Sequence, residues 1–373
     1  MKAICCLMAI LSITVILVPS FSIAIDQKAD VADQETQKPS TFETDLLDLF
    51  SRKSGQELSL TNIPPLYLEP KMSGEGIWVR QELSEGDNST PLVYKTFYRP
   101  SSEYPNAIVY MMLFNMKHIS PKMYLGSCEP YWKESCPHLS SADQSRLLAI
   151  TNALWITKHA GRGGIILQGE ILKPMEKGVA TVVFYKNGAA DIVEWNDEIQ
   201  VSEVQDARQL LHLIVKDSQV ITSMVRRGVL LSAEIGLGSL LNEEQPITMV
   251  PAAAPGEKPT SKLNFTSGDL WFLGTRSAFG IRPDGNLVFA VGHHISTIDL
   301  AKALVLAGCA RGIHADANPG NCLGIAYCHD KTGQIANKVG LSPTQNKSCL
   351  DRYLKGVSTK DFFAFFKRTP EGK

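Results

Sequence analysis

From about residue 61 onward, short apolar runs recur between Gly, Pro and Asn. Trp78-Val79-Arg80 and Leu92-Val93-Tyr94 read as strands, and residues 107–115 as a stronger one. Residues 140–148 have helical character, with Ser141 and Asp143 near the start, and Ala149-Ile150-Thr151-Asn152 reads as a strand leading into a turn. Residues 180–185, Lys186-Asn187-Gly188 and residues 189–195 spell a hairpin, because Asn-Gly tolerates the positive φ of a tight turn. Residues 204–215 carry helical spacing, with Ala207, Leu211, Ile214 and Val215 on one face.

The stretch from Trp271 to Gly320 is the most readable. Residues 278–281 and 287–291 are strands joined through Pro283-Asp284-Gly285. Ser296, with Asp299 three residues on, forms a capping box for a helix that runs to about Ala307, with Leu300, Leu304 and Val305 inward. Gly308 suits its C-terminal end. Residues 312–315 then form a short strand that delivers Asp316 at its carboxyl end, ahead of Ala317-Asn318-Pro319-Gly320-Asn321. The ends of strands in sheets covered by helices are common ligand sites. The pattern predicts an α/β or α+β fold, a mixed twisted sheet flanked by helices, in a single large domain over residues 61–373. Residues 251–261, rich in Pro, Ala and Gly, are expected as an exposed loop inside it.

The N-terminus breaks this texture. Met1-Lys2 precedes 16 residues, Ala3 to Val18, that are apolar apart from Ser12 and Thr14. Pro19 ends the run, and Ser22-Ile23-Ala24 offers small residues for a cut. That is a signal-peptide layout, so residues 1–24 are expected to be removed and the protein to be secreted or periplasmic, with no membrane anchor left. Residues 25–60 form a polar lead-in with one amphipathic turn near Phe42 to Phe50. Six cysteines remain after residue 24, an even number that suggests disulfides in an exported chain, with Cys128–Cys136 the favoured local pair and Cys309 a candidate buried thiol.

Lys and Arg number 37 against 38 Asp and Glu, so no basic excess points to nucleic acid. There is no Walker loop, no Gly-x-Ser-x-Gly elbow and no His-Glu-x-x-His helix, and no cofactor is expected. His293-His294 and His314-x-Asp316 lack diagnostic metal spacing, so no metal is expected either. A Cys-His hydrolase using Cys322 or Cys328 with His314 or His329 is a weaker reading, because nothing marks a thiol as activated. Arg276 and Asp316 are the better pair. A planar, permanent cation suits phosphate oxygens, and a carboxylate can orient water, accept a proton or hold a sugar hydroxyl; the plain alternative is an ion pair closing a loop.

The order of these elements resembles the phosphodiester glycosidase domain. The residues that carry the likeness are Thr275-Arg276-Ser277-Ala278-Phe279-Gly280-Ile281, then Asp284-Gly285-Asn286-Leu287, the helix 297–306 and Gly312-Ile313-His314-Ala315-Asp316; upstream, Ala149-Ile150-Thr151-Asn152 and residues 165–170 take part. The likeness covers roughly residues 100–335 and implies cleavage of a sugar from a sugar-1-phosphate diester. On that resemblance Asp316 sits at the catalytic centre, Arg276 holds the phosphodiester and Asn152 lines the same pocket; Thr275, Ser277, His314, Asn318 and Asn321 are the further candidates for binding a phosphorylated carbohydrate, Asn318 and Asn321 through side-chain hydrogen bonds in place of lost backbone contacts. The glycines that the family carries after its Asp and after its upstream Asn are here Ala317-Asn318 and Ala153-Leu154. A Cβ at both places reshapes the cavity, and a glycan- or phosphate-binding protein without turnover on the same fold is the alternative.

Overall fold

Most of the apolar runs are strands in the computed structural model, which describes residues 60–84, 91–160, 163–210, 213–221, 273–345 and 347–368. They lie within one compact unit, Leu46–Lys373. The signal segment, the lead-in to residue 59 and the loop 251–261 lie outside the described residues.

An eight-stranded sheet runs in the order Val79–Arg80, Val93–Tyr98, Ile108–Phe114, Leu287–Ile295, Gly274–Ile281, Arg311–Asp316, Leu213–Lys216 and Gln219–Val220. A five-stranded sheet contains Glu170–Lys173, Ile165–Leu167, Val204–Gln209, Ala180–Tyr185 and Ala190–Glu194. The other is ordered Ile335–Gly340, Gly324–His329, Leu147–Asn152, Phe362–Lys367 and Ile119–Tyr124. Every neighbouring pair in these sheets is antiparallel.

The predicted α/β or α+β architecture with a mixed, helix-flanked sheet is therefore overturned. Among the described residues, Thr297–Leu306 is the α-helix longer than one turn; Ser141–Gln144 and Thr157–Ala160 are single turns. One strand–helix–strand unit, Leu287–Ile295 to Arg311–Asp316, misled the reading. Its two strands do run parallel, but Gly274–Ile281 lies between them, antiparallel to both. Residues 204–215, predicted helical, form the strands Val204–Gln209 and Leu213–Lys216. Asp206, Arg208 and Gln209 are buried polar residues in the first, so it shows no apolar alternation to read.

Alternation in Ile108–Phe114 shows the layering. Val109, Met111 and Leu113 pack in the core that holds Leu300, Ala301, Ala303 and Leu304 of the long helix. Met112 and Phe114 face the core shared with both smaller sheets, where Phe114 stacks on Phe365 at 3.8 Å. The helix sits close to the sheet at two glycines. A Cβ on Gly280 would overlap the Cys309 sulfur, and one on Gly312 would lie 2.8 Å from Leu304 Cδ1. Its N-cap is the predicted one, with Ser296 Oγ accepting from the Asp299 amide at 3.0 Å. The Asn-Gly hairpin is also present, with Gly188 at φ 82.

Cys128–Cys136 is not a disulfide: Cys128 is exposed, whereas Cys136 packs into the core. Among the described residues no disulfide links the six cysteines after residue 24, and Cys309 is a buried thiol.

Asp206 ties two sheets together. Its Oδ2 accepts from the Met123 amide at 3.0 Å, and its Oδ1 from the Gln168 amide at 2.8 Å. Burial pushes this carboxyl up to about 6. A carboxyl that titrates higher folded than unfolded stabilises the fold below its unfolded pKa of about 4, and that contribution is lost as pH rises through about 6. Relative to wild type, Asp206→Asn is expected to have a melting temperature that improves steadily between pH 4 and 7. Parallel Tm curves for the two proteins would refute this.

Candidate functional site

Asp316 is the last residue of its strand and is 4% exposed. Its Oδ1 accepts from Trp155 Nε1 at 2.8 Å and from the Asn318 amide at 2.8 Å. Its Oδ2 accepts from Asn321 Nδ2 at 2.5 Å. Burial pushes this carboxyl up, and the surrounding donors pull it down without cancelling the rise. The turn that follows is self-supporting. Asn318 Oδ1 accepts from the Gly320 amide at 2.9 Å, and the Asn321 and Cys322 amides return to the Asn318 carbonyl.

Asn152 and Ser277 buttress this turn. Ser277 Oγ accepts from the Asp316 amide at 3.2 Å and from Asn152 Nδ2 at 3.0 Å. Asn152 Oδ1 accepts from the Leu323 amide at 3.1 Å. One fully buried asparagine thus joins the strand ends Leu147–Asn152 and Gly274–Ile281 to the segment after Asp316.

A cavity of about 400 Å³ opens on Asp316, Asn318 and Asn321, with Trp155, Lys360 and Asp361 completing its polar wall. The other predicted site residues fall outside that wall. Arg276 is 1% exposed, and its Nε donates to the Ile295 carbonyl at 3.2 Å. Thr275 Oγ1 meets His293 Nδ1 at 3.2 Å, and His293 Nε2 meets Ser342 Oγ at 3.1 Å. His314 is buried with no partner for Nε2; burial and the nearby Arg276 charge push its pKa down to about 3, so it stays neutral. Cys322 donates to the Asp316 carbonyl at 3.2 Å, and burial together with Asp316 holds its thiol well above the usual range, which makes it a poor nucleophile.

Leu154 and Ala317 also line the cavity, at positions where the resembled family carries glycine. Neither these two nor Ala153 and Asn318 have a positive φ, so their side chains impose no backbone strain and only narrow the space.

Sequence reasoning missed Trp155, Lys360 and Asp361, and the buried charges behind them. Arg208 and Glu129 are both fully buried and sit 3.3 Å apart. Arg208 Nη2 donates to the Trp155 carbonyl at 2.6 Å, and Glu129 Oε2 accepts from the Thr157 amide at 2.8 Å. Asp361 Oδ1 accepts from the Gly126 amide at 2.8 Å. These groups fix the loop that presents Trp155 to Asp316. The available signal was the polar residues at 206, 208 and 209 inside an otherwise apolar stretch, which the helical reading absorbed. Trp155→Phe keeps the ring but removes a donor to Asp316. The Asp316 carboxyl is then expected to titrate higher than in wild type, read from its ¹³C resonance with Asp316→Asn for assignment; an unchanged midpoint would mean that the Trp155 donor does not stabilise the carboxylate.

No family model matches the sequence, and no curated protein matches it. Among solved structures, the fold is similar to the zebrafish N-acetylglucosamine-1-phosphodiester alpha-N-acetylglucosaminidase catalytic domain auto-inhibited by its pro-peptide. That match has 12% identity and a TM-score of 0.45 and covers 77% of this chain and 87% of that one. It is also similar to a hypothetical protein from Synechocystis, at 10% identity and a TM-score of 0.37, over 74% of this chain and 62% of that one. Likenesses this distant leave the activity to be argued from the site.

Proposed function

We propose that this protein is an exported hydrolase that cleaves the sugar–phosphate bond of a sugar-1-phosphodiester or phosphate-linked glycan, with Asp316 at the reacting centre. The observation that carries the reading is the setting of Asp316: a buried carboxylate with both oxygens held by directed donors, at the wall of a cavity of sugar size. Such a carboxylate stabilises the positive charge that grows at the anomeric carbon as its bond to the phosphate oxygen breaks. Trp155 offers a flat apolar wall and Asn318 and Asn321 offer polar edges, a combination that suits a sugar ring. The departing phosphate is anionic. Lys360, half-buried on the cavity wall, and Arg352, whose Nη1 lies 3.5 Å from Asn321 Oδ1, supply cations for it. Arg276 adds positive potential from its buried place. Export rests on the layout of residues 1–24.

The narrowing by Leu154 and Ala317 favours one second reading, a binding protein without turnover. Sugar release by the purified protein from a panel of sugar-1-phosphate diesters, UDP-N-acetylglucosamine included, separates the two. Release is expected from at least one diester. Affinity without release supports the binding protein, and neither release nor affinity removes both readings.

A further inference from the structure

Among the described residues, the cavity wall carries a single cation. Its charged members are Asp316, Asp361 and Lys360. Arg276 is buried away from the wall, with Nε on the Ile295 carbonyl. Arg352 stands behind the turn, where Nη2 donates to the Gly320 carbonyl at 2.9 Å and to Cys349 Sγ at 3.3 Å, so those donors are spent on the protein. Lys360 is half-buried, and its ammonium makes no ion pair or hydrogen bond among the described residues. An ammonium has three donors and no acceptor, so it calls for an electron-rich ligand.

The backbone that carries Lys360 is pinned on both sides. Ser358 Oγ donates to the Lys360 carbonyl at 2.8 Å and accepts from the Lys360 amide at 3.1 Å. The Ser127 amide donates to the Ser358 carbonyl at 2.9 Å, the Cys128 amide to the Thr359 carbonyl at 3.1 Å, and the Gly126 amide to Asp361 Oδ1 at 2.8 Å. Gly126 permits this approach, because a Cβ there would overlap the Lys360 backbone. With the backbone already fixed, binding an anion orders the lysine side chain alone, which keeps the entropic cost low.

The rest of the wall narrows the choice of anion. Asn318 spends Oδ1 on the Gly320 amide, and its Nδ2 donates to no group among the described residues. Asp316 Oδ2 accepts one bond, from Asn321, and keeps a lone pair. Donors beside one acceptor match a phosphate that still carries a proton: its oxygens accept from Lys360 and Asn318, and its hydroxyl donates to Asp316. A phosphate monoester has its second pKa at about 6, so such a form is available near neutrality. Sulfate has the same shape but no proton to give, and it meets the carboxylate with repulsion alone. We infer that Lys360 makes this cavity select phosphate over other oxyanions, and that the phosphate monoester released by the reaction competes there with the next substrate. The competition rests on the hydrolase reading proposed above; the phosphate site itself does not.

The test titrates inorganic phosphate, with sulfate as the control anion, into purified wild type, Lys360→Met and Lys360→Arg by calorimetry at pH 6. Wild type is expected to bind phosphate about tenfold or more tightly than sulfate. Lys360→Met is expected to weaken phosphate binding about 10–100-fold, the loss of a charge-assisted hydrogen bond, while Lys360→Arg retains most of it. On any diester that wild type cleaves, phosphate should raise the apparent KM without lowering kcat, and Lys360→Met should resist that inhibition. Thermal unfolding checks each variant, and Lys360→Gln replaces Lys360→Met if the latter does not fold. Equal phosphate binding by wild type and Lys360→Met, or none by wild type, overturns the inference and leaves the hydrolase to be judged by the diester panel. Sulfate binding as tight as phosphate binding overturns the selection. Phosphate binding that depends on Lys360, with no release from any diester, removes the hydrolase and keeps the phosphate site.

Discussion

Asp316→Asn is expected to lower sugar release on the order of 10²–10⁴-fold with the fold retained. The substitution changes charge while nearly conserving shape. The new amide oxygen can take the place of Oδ1 and accept from Trp155 and the Asn318 amide. The new amide nitrogen would face Asn321 Nδ2, but Asn321 can turn its own oxygen inward, because that oxygen has only a long contact of 3.5 Å with Arg352. Removing a buried charge also removes the desolvation that pushes this carboxyl up, so stability should hold or improve at neutral pH. Initial rates on the diester panel, with thermal unfolding as the folding control, check both halves. A variant that unfolds near the wild-type temperature and still releases sugar at the wild-type rate would place the reacting centre elsewhere.

Arg208→Met is expected to cost about 3–5 kcal/mol of stability at neutral pH, a fall in Tm on the order of 10 °C. Methionine fills much of the volume, so the loss is electrostatic. Glu129 and Asp361 would be left buried without their cation, and the Trp155 carbonyl would lose a donor at 2.6 Å. The cost should shrink as pH falls, since protonating Asp361 removes one uncompensated charge. Adding Glu129→Gln should recover part of the loss through the same logic. Melting curves at pH 5 and pH 8 for the single and double variants give the answer; equal losses at both pH values would mean the triad is not electrostatically coupled.

Much of the local structure was legible because it depends on neighbours in the chain. Ser296 and Asp299 cap a helix wherever that helix lies, and Asn187-Gly188 turns a hairpin by its own backbone preference. The strand that ends in Asp316 was visible for the same reason, and with it Asn318 and Asn321, which the turn carries to the cavity. Where local rules failed, long-range packing had overridden them. Residues 204–215 read as helical because a strand buried on both faces loses its alternation, and polar Asp206 and Arg208 are inside it only because distant amides and carboxylates receive them. The favoured Cys128–Cys136 pair was close in sequence, yet one sulfur faces solvent and the other the core.

The sequence by itself determined where the chain turns, where its long helix starts, and that a carboxylate would stand at the end of a strand near residue 316. Only the tertiary structure decided that the sheets are antiparallel, that Arg276 is buried away from the cavity wall, and that Asp361 joins Asp316 there. The reason is separation along the chain. Capping and turning are settled within a few residues, whereas Trp155 meets Asp316 across 161 positions and Asp361 receives the Gly126 amide across 235. Contacts of that span are set by which hydrophobic faces find each other when the sheets pack, and a linear pattern of polar and apolar residues does not encode that choice in any local window.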